Sequence, residues 1–174
     1  ALPAIVNGME RSLSRALGYI AYTGAAVSRE VVASGSVTQF GISNKQRQGL
    51  LDPGTSETND HWQFAQQARW IAEDGVRRMR VTLGDGFASS SYAAEALVNV
   101  GFTNRLLGEN MCDGVIDGGA IQPRKVYFDR AEAAFSEAIT VAGAAKNSNL
   151  EYAARAGRGS VRVWLGNWRG AADS

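Results

Sequence analysis

The chain has 174 residues, 45% hydrophobic and 20% charged, with 18 Lys plus Arg against 17 Asp plus Glu and a formal net charge of +1. That length suits one domain spanning residues 1–174 with a real core, and the balance of apolar to charged residues excludes a disordered chain. A charge so near zero offers no long-range field to a polyanion or an anionic membrane, so no nucleic acid is expected as partner. The single cysteine, Cys112, excludes an internal disulfide and any cysteine-built metal cage; the single histidine, His61, removes most His-dependent catalysis. No run of about 18 apolar residues occurs, so no transmembrane segment is expected. The opening Ala1-Leu2-Pro3-Ala4 has neither a basic n-region nor an apolar h-region, so an export signal is expected to have been removed or never present.

From Leu2 to Val32, Ile5, Met9, Leu13, Ala16, Leu17, Ile20, Gly24, Val27 and Val31 recur at three and four and predict a long first helix. Gly18 and Gly24 lie within it. Because Ala21, Ala25 and Ala26 keep that stretch small, the two glycines are expected to admit a neighbouring helix closely. Residues 34–60 carry turn formers, including Asp52-Pro53-Gly54, and are expected to form a long loop with Val37, Phe40, Ile42, Leu50 and Leu51 as apolar anchors.

Asp60 is the expected N-cap of a second helix running to about Leu83, with Ala65, Ala68, Ala72, Val76 and Met79 on its inner face. Ser89, Ser90 or Ser91 caps a third, carrying Ala93, Ala96, Leu97, Val100, Leu107 and Met111. Pro123 stands where a first helical residue tolerates proline. A fourth helix over Arg124–Ala145 shows the clearest stripe, with Tyr127, Ala131, Ala134, Phe135, Ala138, Ile139 and Ala142 opposite Asp129, Glu132, Ser136 and Glu137. Asn147-Ser148-Asn149 caps a fifth helix to about Leu165, and Trp168–Ala172 begins a sixth that the end of the chain cuts off. No strand alternation of useful length appears, so the predicted class is all-α.

Phe128-Asp129-Arg130-Ala131 and Trp168-Arg169-Gly170-Ala171 repeat one pattern, an aromatic three residues before an alanine. Such spacing is helical-repeat grammar, in which an aromatic knob fills a groove beside a small residue. The stretch from Asn149-Leu150-Glu151-Tyr152-Ala153-Ala154-Arg155 through Val163-Trp164-Leu165-Gly166-Asn167-Trp168 resembles the SusD/RagB-like proteins, with an Ala-rich, Arg-bearing helix ending in leucine, a turn, an aromatic and an alanine. Val126-Tyr127-Phe128 through Ala138-Ile139 resembles the preceding helix of that family. Asn59-Asp60-His61-Trp62, and Tyr92-Ala93-Ala94-Glu95-Ala96 leading to Leu106-Leu107-Gly108-Glu109, resemble earlier ones. The resemblance implies antiparallel helix pairs in an irregular tetratricopeptide-like arrangement, and an exported protein at the outer membrane that caps a barrel transporter and holds glycans. Family chains are much longer, and their lipid-attachment cysteine near the N-terminus has no counterpart here.

Trp62, Trp70, Trp164 and Trp168 are candidates for a protein interface, or for a platform that stacks on a sugar; core packing is the commoner fate of tryptophans at helical spacing. Trp62 and Trp70, eight residues apart, are expected to share a face. Phe40 joins the interface candidates from the long loop. Arg155, Arg158 and Arg162 fall along one face of the fifth helix, where guanidinium groups clamp carboxylates of a partner or pair with Glu132, Glu137 or Glu151. Glu109, Asp113 and Asp117 lack the spacing of a calcium loop, and nothing in the sequence brings Cys112 to His61 and Asp60 as a catalytic set, so Cys112 is expected to be a buried, inert thiol. No metal or other cofactor is therefore expected, and the chain is expected not to be an enzyme. The expectation is a non-catalytic, peripheral scaffold or cap, periplasmic or at the outer membrane, binding protein subunits of a membrane-associated complex, either an outer-membrane transporter or one for electron transfer or photosynthesis. The alternative is a glycan- or small-molecule-binding protein for nutrient uptake, with an oligosaccharide as ligand.

Overall fold

Ala, Leu, Glu and Arg cost little in a helix, and the computed structural model of residues 2–32, 44–50 and 56–174 gathers them into an all-α protein. The elements are α1 (Leu2–Val27), α2 (Asn44–Arg47), α3 (Ser56–Leu83), a 3₁₀ turn (Gly84–Ser89), α4 (Ser91–Asn110), a two-residue bridge of β1 (Asp113–Gly114) with β2 (Gln122–Pro123), α5 (Lys125–Ala144), α6 (Ser148–Trp164) and α7 (Trp168–Ala172). Each long helix packs on the next, and α1 also touches α4, as α4 touches α6.

The connections follow from local chemistry. After α5, Lys146 takes a left-handed φ of 55°, its N–H bonds the Gly143 carbonyl, and the Asn147 N–H reaches back to the Ala142 carbonyl. That is a Schellman C-cap. Asn147 then starts α6, its side-chain oxygen accepting from the Leu150 N–H. The same grammar recurs after α6: Gly166 at φ 74° closes the helix, and Asn167 accepts from the Gly170 N–H to start α7. One sharp helical turn is thus built twice, twenty residues apart. Arg29, with φ 65°, closes α1 in the same way, which ends it at Val27 rather than Val32.

Of the three serines offered as cap for α4, Ser90 is the one whose side chain accepts from the Ala93 N–H. The helix expected from Asp60 begins four residues earlier, at Ser56. The expected loop over 34–60 is therefore interrupted by α2 and by this first turn. Residues 33–43 and 51–55, with Phe40 and Leu51 among them, lie outside the described residues. Pro123 sits in β2 opposite Asp113, not in the first helical turn of α5; proline lacks the N–H a central strand would need and is tolerated in so short a pairing.

The core is built from alanine and from rings seated on glycine. Ala72, Ala93, Ala96, Ala131, Ala138, Ala142 and Ala154 are fully buried, which lets helix axes approach closely. Phe135 of α5 fills the space between α4 and α6: a Cβ on Gly101 would lie 2.5 Å from its ring, and one on Gly157 2.4 Å. Phe102 meets that ring edge-on at 5.1 Å. Phe128 lies likewise on Gly108, and Met9 of α1 on Gly75 of α3. Gly18 and Gly24, expected to be the close-approach positions, have nothing within 4 Å of a built Cβ. Gly24 instead borders a cavity with His61 and Asn110, so smallness in sequence did not translate into close contact there.

Candidate interaction surface

A buried polar cluster fixes the α4–α5 connection and so the frame on which every surface stands. Arg69 of α3, 2% exposed, donates to Gln66 at 3.1 Å, Glu73 at 2.6 Å and Asp117 at 2.6 Å. Glu73 also accepts from Arg130 of α5 and from Asn104 of α4, so one carboxylate ties three helices. The fully buried Tyr127 places its hydroxyl against Val115, accepting from the N–H and donating to the carbonyl, both at 2.9 Å. Asp117 has a left-handed φ of 50°. The Arg69 guanidinium that bonds it holds its carboxyl below the usual carboxylate range. These contacts hold the exposed Asp117 to the buried Arg69, while Glu109 pairs with Arg105 within α4. Among the described residues no group of three or more His, Cys, Asp or Glu stands close enough to hold a metal. Cys112, expected to be buried, is exposed: it follows α4 by two residues and lies outside the helix's inner face.

The interface candidates divide. Trp62 is half-buried against the cluster that holds Ala16, Ala65, Leu107 and Tyr127, whereas Trp70 is 52% exposed. Eight residues on a helix amount to a rotation of about 80°, enough to carry Trp70 off the face that Trp62 shares with the core. The two therefore do not form one surface. Trp164 and Trp168, at the end of α6 and the start of α7, are 49% and 68% exposed. Trp164 stacks one face on Phe128 at 5.8 Å, with the Arg124 guanidinium also 5.8 Å from its ring. Trp168, aligned in sequence with buried Phe128, has no groove to fill. Tyr152 and Val163 add exposed apolar area on the outer side of α6.

The three arginines of α6 differ in partners. Arg155 pairs with Glu151 one turn back. Arg162 donates to Glu132 of α5 at 2.6 Å and to the Gly170 carbonyl of α7 at 2.8 Å, clamping α7 down. Arg158 lies between them, and its Nε is buried without a hydrogen-bond partner. Burial, then the charges of Arg162 and Arg155, push its pKa down from the ordinary arginine value. Residue types alone place a stripe of guanidinium groups on this helix; packing decides that, of the three, Arg158 is the one without an ion pair among the described residues. No described helix is long and apolar enough to cross a membrane. No family model, curated protein or solved structure matches the chain.

Proposed function

We propose that the protein is a non-catalytic scaffold subunit whose helix pairs form an irregular tetratricopeptide-like array, and that it binds another protein through the α6–α7 end. The observation that carries this reading is the exposure of Trp164 and Trp168 at that end, with Tyr152 exposed further back on α6 and Arg158 on the same helix making no ion pair among the described residues. Aromatic rings and arginine are the residue types that dominate protein interfaces, because they give large contact area and directional bonds at small entropic cost. A partner carboxylate that meets the accessible part of the Arg158 guanidinium supplies the ion pair this arginine does not make within the described residues. In this reading the protein sits outside the cytoplasm, peripheral to a membrane-associated complex, in the manner of a SusD-like cap.

The test is mass spectrometry of the intact assembly after gentle extraction from native membranes. Recovery in fixed stoichiometry with membrane-complex subunits, lost on Trp168→Ala with Arg158→Gln, is the expected result. Recovery as a free monomer, or an assembly indifferent to those substitutions, overturns it.

A further inference from the structure

On α1 and α4 a second surface is open. Leu13 and Leu17 of α1 and Phe102 and Leu106 of α4 line a groove of about 350 Å³, with the Arg105–Glu109 ion pair along one side. Leu17 is 52% exposed, so the groove opens to solvent. The two helices run in the same direction here, because Glu10 lies against Glu95 while Leu13 and Leu17 lie against Phe102 and Leu106, further along both chains. The carboxylates therefore mark one end of the groove.

Among the described residues, the carboxylates at that end make no ion pair. Glu73, Glu109, Asp117, Asp129, Glu132, Glu137 and Glu151 each accept from an arginine or lysine. Glu10 and Glu95 face one another instead, and burial followed by the Glu10 charge pushes the Glu95 carboxyl up. No cation acts on Glu95 to answer either effect. An apolar trough between two helices with a pair of like charges at one end is complementary to an amphipathic helix that carries the opposite charge.

We propose that the α1–α4 groove seats an amphipathic helix of a partner protein whose apolar side chains enter between Leu13, Leu17, Phe102 and Leu106 and whose lysine or arginine reaches Glu10 and Glu95. Glu10 and Leu17 are seven residues apart, about 10 Å along the helix axis, so the basic residue lies roughly two turns from the deepest apolar anchor of the docked helix. This site is separate from the α6–α7 end and stands or falls without it.

The experiment selects a displayed library of randomised fourteen-residue helical peptides on the whole protein and counter-selects on Leu17→Glu, a change at a half-exposed position whose fold is checked by circular dichroism. The expected outcome is a set of Leu17-dependent binders enriched in lysine or arginine two turns from apolar residues. Their affinity falls roughly ten-fold or more on Glu10→Gln with Glu95→Gln. Binders without a basic preference, affinity unmoved by the glutamine pair, or no Leu17-dependent binders overturn the proposal. A dimer in sedimentation that Leu17→Glu dissolves also overturns it, by giving the groove to a second copy of this chain.

Discussion

Replacing Gly157 by alanine tests how the core is assembled. A Cβ there would stand 2.4 to 2.9 Å from three atoms of the Phe135 ring, where carbon atoms in contact keep about 3.5–4.0 Å. The ring must retreat by about 1 Å. Its retreat is blocked, because the opposite side already rests on Gly101, where a built Cβ would come within 2.5 Å, and Phe102 closes the edge. Overpacking of this kind costs about 1–3 kcal/mol, and the upper end applies where no side chain is free to yield. Alanine returns about 1 kcal/mol through its better helix propensity, leaving a net loss of about 2 kcal/mol, or about 4–8 °C in Tm for a chain of this size. Gly18→Ala is the control: with nothing within 4 Å of its Cβ, it keeps only the propensity gain and raises Tm by about 2–4 °C. Thermal and urea unfolding of the two variants measures both signs. Phe135→Leu, placed in the Gly157→Ala background, should cost less than it does alone, giving a favourable coupling energy. Gly157→Ala as stable as the parent, or shifted in the same direction as Gly18→Ala, refutes the view that Phe135 is clamped between two glycines.

Three further outcomes follow from named contacts. Lys146→Gly should stabilise by about 0.5–1 kcal/mol, since Lys146 holds a left-handed φ of 55° that glycine adopts freely; a loss of stability on denaturant titration would refute it. Tyr127→Phe should cost about 1–3 kcal/mol by leaving the Val115 N–H without its partner, while the Val115 carbonyl keeps its bond from Gln66, and hydrogen exchange should show the Val115 amide losing protection while amides in α5 keep theirs. Glu95→Gln should raise Tm at pH 7. The folded carboxyl has a raised pKa, so stability is fully present below its unfolded value and falls as pH rises through the folded one. The advantage of glutamine should therefore vanish as the pH is brought below about 4, and a Tm difference independent of pH would remove the Glu10–Glu95 repulsion from the account.

The helices were legible because their signals are local. The stripe from Tyr127 to Ala142 predicted α5 almost to the residue, and Asn147 as a cap predicted the start of α6. What failed depended on distance in the chain. Glycine is the clearest case: Gly18 and Gly24 in α1 read like Gly101 and Gly157 in sequence, yet only the latter pair meets a ring contributed by another helix. A left-handed cap on arginine or lysine, as at Arg29 and Lys146, leaves no glycine to mark the helix end. The α6 arginines were visible as a stripe, and Arg155 finds Glu151 on its own helix, but the α5 and α7 partners that distinguish Arg162 from Arg158 are set by packing. The Arg69–Glu73–Asp117 cluster was missed entirely, because its members come from segments some fifty residues apart and each alone reads as a solvated surface charge.

The central claim is that the α6–α7 end is covered by another protein in the cell. A photo-crosslinking amino acid placed at Trp168, and for comparison at Val81, an exposed position on α3, reports this directly after irradiation of intact cells. One discrete protein adduct at position 168, absent at position 81 and weakened by Arg158→Gln, is the predicted result. The same adducts at both positions, or none at 168, would contradict a docking surface there.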